Sequence, residues 1–151
     1  MFQNLFPFGR NKDVYTEENI LHEQTIEEAK LKNLSYQHDF TNNYNIGNKD
    51  EEWNKLDNFL KSSNIASADY HPIIKAIYDK DSSIDIEELS ELEHIRWGRF
   101  HYINYWRYGI PEDGKYKDAD KRIHTCLVDY EKLDEINKDK DRVIVKGVIE
   151  E

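Results

Sequence analysis

Aromatic rings, guanidinium and ammonium groups and imidazoles concentrate between His94 and His124, a pattern that suits holding a planar anion. Trp106 and Tyr108 stand two apart, so an extended segment would project both rings to one side as flat faces for a planar ligand. Stacking of a base on such a face contributes ~1–3 kcal/mol and tolerates different bases. Arg96, Arg99, Arg107, Lys115, Lys117, Lys121 and Arg122 supply donors for phosphate oxygens, arginine bidentately, and His94 and His124 bracket the set. The segment carries seven Lys or Arg against four Asp or Glu, a balance of +3, whereas the rest of the chain carries 14 against 27, or −13. A cationic, aromatic island in an acidic chain predicts an anion site. Arg96, on a helix amid aromatics, is the leading anion contact. Lys115 and Lys117 read instead as a solvated face balanced by Glu112, Asp113, Asp118 and Asp120, and Trp97, one turn from His94, reads as core.

The same residues offer less to catalysis. Glu91 and His94 are three apart on a helix, so a carboxylate could orient the imidazole, and His124 with Cys126 places a base near a thiol. No glycine elbow, phosphate loop or carboxylate pair accompanies them, and a buried histidine bonded to a carboxylate is the commoner arrangement. The expectation is therefore a binding protein, with no enzyme activity and no cofactor. His124-x-Cys126 lacks a second ligand pair at zinc spacing, and Asp118-x-Asp120 lacks the glycine and glutamate of a calcium loop, so no metal is expected.

A chain of 151 residues with net charge −10 and pI near 5.1 fits one domain, or two small units sharing a core. The negative balance argues against a nucleic-acid polymer and against an anionic membrane surface. No apolar run approaches the ~20 residues that a spanning helix requires. Phe2 to Phe8 is apolar but short and interrupted by Pro7, unlike a signal peptide. Cys126 is the single cysteine, which suits a reducing compartment, and a cytoplasmic protein is expected.

The elements that must position these groups read as helices. Thr16-Glu17-Glu18-Asn19 predicts an N-cap for a first helix reaching about Gln37, and residues 38–50, rich in Asn and Gly, predict a loop. A helix from Ile65 to Asp79 contains Pro72, which should kink it or mark its start. Asp85-Ile86-Glu87-Glu88 predicts a capping box opening a helix to about Trp106, and Pro111-Glu112-Asp113-Gly114 a turn. Cys126-Leu127-Val128 predicts a short strand, and Asp141 to Ile149 a last short helix weakened by its β-branched residues.

Spacing between the halves suggests an internal duplication. Trp53-x-Lys55-Leu56-Asp57, Lys61 and Asn64 match Tyr130-x-Lys132-Leu133-Asp134, Lys138 and Asp141, while Ala29, Asn33 and Tyr36 match Ser90, His94 and Trp97. The expected fold is mainly α with short β segments. It comprises two divergent helix–loop–helix repeats, 17–80 and 81–151, packed about a pseudo-two-fold axis after an extension over 1–16, with the ligand cleft at their junction.

The order of residues in the second half resembles the RyR repeat, a cytoplasmic module of ryanodine receptors found also in bacterial and phage proteins. The resemblance rests on Leu89, Ser90, His94, Trp97, Trp106, Tyr108, Gly109, Lys121, His124, Leu127, Val128, Tyr130, Leu133, Lys138, Asp141 and Arg142. Tyr105 departs from it, standing where the family usually has a glycine. Ser63, Asn64, Ala68, Asp69, His71 and Pro72 look like the element that precedes the repeat in bacterial members. In several of those the unit follows a Trk-like NAD-binding domain, and the absence here of Gly-x-Gly-x-x-Gly makes this chain look like a C-terminal fragment. The resemblance implies a regulatory domain that binds an adenine-type or other nucleotide ligand, with Trp106 stacked on the base, and that controls an attached or partner effector. The competing expectation is a protein-docking or oligomerisation module, with a homodimer as one form.

Overall fold

A computed structural model describes residues 22–40 and 45–150. The protein is mainly α-helical, with one small sheet. Helices α1 (Glu23–Phe40), α2 (Lys49–Lys55) and α3 (Asn58–Lys80) precede α4 (Ile86–Ile103), and strands β1 (Arg107–Tyr108), β2 (Lys117–Asp118) and β3 (Ile123–His124) lead through a 3-10 turn at Tyr130–Lys132 to α5 (Glu135–Ile149). No helix among the described residues is long and apolar enough to cross a membrane.

Short polar side chains start most of these helices. Asn48 forms a capping box with Glu51, accepting its N–H at 3.1 Å while the Glu51 carboxylate takes the Asn48 N–H at 3.0 Å. Asp57, Asp85 and Asp134 cap α3, α4 and α5 by accepting the N–H of Leu60, Glu87 and Asn137. The two matched segments take the same local shape. Leu56 and Leu133 are extended, at φ −74°, ψ 142° and φ −70°, ψ 147°, and each donates its N–H to the matched aromatic residue's carbonyl, Trp53 at 3.2 Å and Tyr130 at 3.1 Å.

Apolar burial falls into neighbouring clusters. Ala29, Trp53 and Ala68 join α1, α2 and the first half of α3. Ile74, Leu89, Val145 and Val148 join the second half of α3 to α4 and α5, and Cys126, Tyr130 and Leu133 seal the chain between β3 and α5 against Trp97. Hydrogen bonds reinforce the α4–α5 seam: Arg142 reaches Glu87 at 2.6 Å, and Glu87 accepts the Tyr130 hydroxyl at 3.0 Å. The sheet has order β1-β3-β2, with β1 parallel and β2 antiparallel to β3. Gly109 is required beside it, since a Cβ there would lie 2.6 Å from Ile123 Cγ2.

Several sequence expectations need correction. The strand is Ile123–His124, because the backbone of Cys126–Val128 is committed elsewhere. The Cys126 N–H donates to His124 Nδ1 at 3.0 Å, and the Leu127 and Val128 carbonyls face Tyr102 and His94. The last helix begins at Glu135, six residues early, since Asp134 supplies its cap. The proline helix likewise begins at Asn58 and runs through Pro72. Helix α4 stops at Ile103, and Asp85 accepts only the Glu87 N–H, without a capping box. Helix α1 continues to Phe40, whereas its expected Thr16 cap lies outside the described residues. The Pro111–Gly114 turn forms as expected, with Gly114 at φ 72°.

Candidate functional site

A cleft of about 520 Å³ runs between the N-terminal elements and the second half, its walls drawn from α1, α3, α4, the sheet and α5. That volume lies within the range of small-molecule sites. One wall is aromatic. Trp106 follows α4 after Tyr105, which takes φ 66°, the left-handed conformation that a glycine adopts freely. The reversal turns the indole inward, where one face stacks on Phe59 of α3 at 5.1 Å and its ring meets His101 edge-on at 5.3 Å. Trp97 and His124 close the same wall, 4.9 Å apart and near-perpendicular.

The floor is polar and built from paired charges. Glu93 is 1% exposed and accepts Arg96 Nε and Nη2, both at 2.7 Å, together with the Ser67 hydroxyl at 3.1 Å. Burial pushes the Glu93 carboxyl upward, and those three donors oppose the shift by favouring the ionised form. His94 lies with Nδ1 3.2 Å from Asp141 Oδ2 and donates Nε2–H to the Val128 carbonyl at 2.9 Å, so both ring nitrogens are engaged, and burial raises the Asp141 carboxyl as well. Burial pulls its pKa down, but the Asp141 and Val128 acceptors outweigh this and the net direction is up.

Two donors on this floor have no acceptor among the described residues: Asn33 Nδ2 on α1 and Arg96 Nη1 on α4. Asn33 is only 4% exposed, and both residues line the cleft. A buried donor without a partner costs ~1–3 kcal/mol, and most such groups in folded proteins are satisfied. Both donors are free to hydrogen-bond an acceptor atom of a molecule in the cleft.

The other imidazoles are poorly placed for proton transfer. His101 Nδ1–H donates to the Trp97 carbonyl at 2.9 Å, and burial holds its pKa down to about 4. His124 is held down to about 3 by burial, helped by the neighbouring His101, Lys117 and Lys140. With Nδ1 accepting from Cys126, neutral His124 carries its proton on Nε2 as a donor. Burial raises the Cys126 thiol, so it is a poor nucleophile at neutral pH. Among the described residues no cluster of three His, Cys, Asp or Glu is arranged to hold a metal ion.

Of the eight residues nominated from sequence, Trp106, Arg96, His94 and His124 line this cleft. The rest are placed elsewhere. Tyr108 is 54% exposed and faces a second cavity beyond α4, so it does not share a face with Trp106. Arg107 is exposed on β1. Lys121 is paired with Glu112 at 2.9 Å, and Arg122, itself at φ 52°, donates to the Asn104 carbonyl and covers the Tyr105 ring. Phe59, Tyr116 and Lys140 line the cleft without having been nominated, because their proximity to Trp106 or His124 is tertiary. Asn33 did leave a trace, as the counterpart of His94 in the duplicated spacing. No protein-family model, curated protein or solved structure matches the chain.

Proposed function

We propose that this protein is a non-catalytic, RyR-like regulatory module that binds a small anionic ligand, a nucleotide or nucleotide-derived messenger, in the cleft between two divergent repeats. The observation that carries the reading is the convergence of an aromatic wall with two buried donors, Asn33 Nδ2 and Arg96 Nη1, that lack acceptors. Rings on the ligand extend the wall, and acceptors on the ligand complete the floor. Because those walls belong to separate helices, occupancy favours one relative packing of α1 and α3 against α4 and α5, and so biases an attached or partner effector. Non-catalytic binding is supported by His94, whose two nitrogens are both engaged, and by the neutral His101 and His124. The single cysteine and acidic balance fit a cytoplasmic setting.

The test is a thermal-shift and calorimetric screen against purine and pyrimidine nucleotides, cyclic mono- and dinucleotides and ADP-ribose. A ligand at about 100 times its Kd stabilises the fold by ~2.7 kcal/mol. The reading predicts a selective shift that Trp106→Ala abolishes, and a flat screen up to millimolar concentration on folded protein would refute it.

A second reading has its own observation. Tyr102, Ile103, Tyr105, Tyr108 and Ile110 are all more than half exposed along the turn from α4 into β1 and beyond, an apolar row suited to docking a protein or a second copy. Replacing Ile103 and Tyr108 with serine separates the two, since it would abolish assembly under this reading and leave ligand binding intact under the first.

A further inference from the structure

The cations that line the cleft differ in whether their charge is already compensated. Arg96 is held by Glu93 through two hydrogen bonds, and His94 is paired with Asp141. Lys117 on β2 and Lys140 on α5 have no carboxylate partner among the described residues. Instead, their ammonium groups lie 5.6 and 5.8 Å from the centre of the same ring, Tyr116, and Lys140 also donates to Asn137 Oδ1 at 2.8 Å. Two separate elements thus bring ammonium groups without a carboxylate contact among the described residues to one ring, that of Tyr116, bordering the cleft.

The floor has the opposite character. Asn33 Nδ2 and Arg96 Nη1 present hydrogens with no acceptor, but the surrounding groups sum to little net charge, with the carboxylates of Glu93 and Asp141 close by. A phosphate placed there would be desolvated beside two carboxylates, whereas a carbonyl oxygen or ring nitrogen satisfies the donors without that repulsion. At Lys117 and Lys140 the preference reverses, since ammonium groups attract a phosphate and hydrogen-bond its oxygens.

We propose that Lys117 and Lys140 form a phosphate clamp, and that the nucleotide enters ring first, with an uncharged acceptor of its ring on Asn33 and Arg96. This rests on the nucleotide reading above and fixes the ligand's direction within the cleft. It also moves the phosphate contacts from Lys121, Arg122 and Arg107, which face elsewhere, to a lysine that sequence reading treated as solvated and another it passed over.

The test compares calorimetric titrations of guanosine, adenosine, their 5′-monophosphates and inorganic phosphate with the wild type, with Lys117→Ala/Lys140→Ala, and with Lys117→Arg/Lys140→Arg. The clamp predicts that the alanine pair lowers monophosphate affinity about tenfold or more, to that of the nucleoside. Nucleoside affinity stays unchanged, and the arginine pair retains the monophosphate. Unchanged monophosphate affinity in the alanine pair, or an equal loss for nucleoside and monophosphate, overturns the clamp while leaving the nucleotide reading standing. Failure of the wild type to bind any nucleoside or nucleotide overturns both.

Discussion

Under the proposed function, Asn33 sets binding against stability at a single side chain. Its Nδ2 is buried without an acceptor on a helix where a leucine of similar size would be content. Asn33→Leu should therefore stabilise the unliganded protein by ~1–2 kcal/mol, measured by urea denaturation, while weakening nucleotide binding in the same preparation. A variant that is destabilised, or that binds as tightly as the wild type, would show that the amide has a structural partner. At this scale the sequence was half legible. Arg96 was expected as an anion contact among aromatics and lines the cleft, but its pairing with Glu93, three residues away, was not recognised. Lys117 was assigned to a solvated face balanced by Glu112, Asp113, Asp118 and Asp120, whereas its ammonium lies 5.6 Å from the ring centre of the adjacent Tyr116 and borders the cleft. Trp97, assigned to the core, packs on the Cys126 cluster and also lines the cleft. Tyr105 takes φ 66°, a conformation that its residue type does not announce in the sequence.

Among the elements, the best-read features were those fixed by local chemistry, and the misread ones were decided by distant partners. The Pro111–Gly114 turn follows from its own residues. Cys126–Val128 had strand propensity, but His124, Tyr102 and His94 occupy the backbone groups that a ladder would need. The α3 and α5 starts were legible in principle, since Asp57 and Asp134 stand at matching positions of two similarly spaced segments and both accept an N–H three residues on, at 2.7 and 2.8 Å. Their equivalence predicts that Asp57→Ala and Asp134→Ala each cost ~1 kcal/mol in chemical denaturation, with Asn substitutions close to neutral. A loss confined to one site would mean that the shared local shape is not energetically shared.

For the whole molecule, the matched spacing led to the expectation of a cleft between two halves, and residues from 33–67 and 93–144 line a cleft in the structure. What composition could not reveal is the division of charge inside it. The +3 balance of the segment from His94 to His124 averages over cations that are paired, outward-facing or free, and only the fold sorts them. The residues that carry the RyR resemblance are sorted in the same way. His94, Tyr130, Asp141 and Arg142 tie α4 to its partners across the second half, whereas Trp106 reaches across to Phe59 and joins the halves. A ligand in the cleft would touch both sets, which is the physical basis for coupling occupancy to packing.

The proposed position of the ligand, in this cleft against its unpartnered donors, has a direct spectroscopic readout. It is tested most directly by following the side-chain amide signals of Asn33 and the indole signal of Trp106 in nitrogen–proton correlation spectra during titration with nucleoside monophosphates. The account predicts that both move together and saturate at one stoichiometric equivalent. Stationary Asn33 and Trp106 signals at millimolar nucleotide, or movement confined to the exposed row from Tyr102 to Ile110, would contradict it.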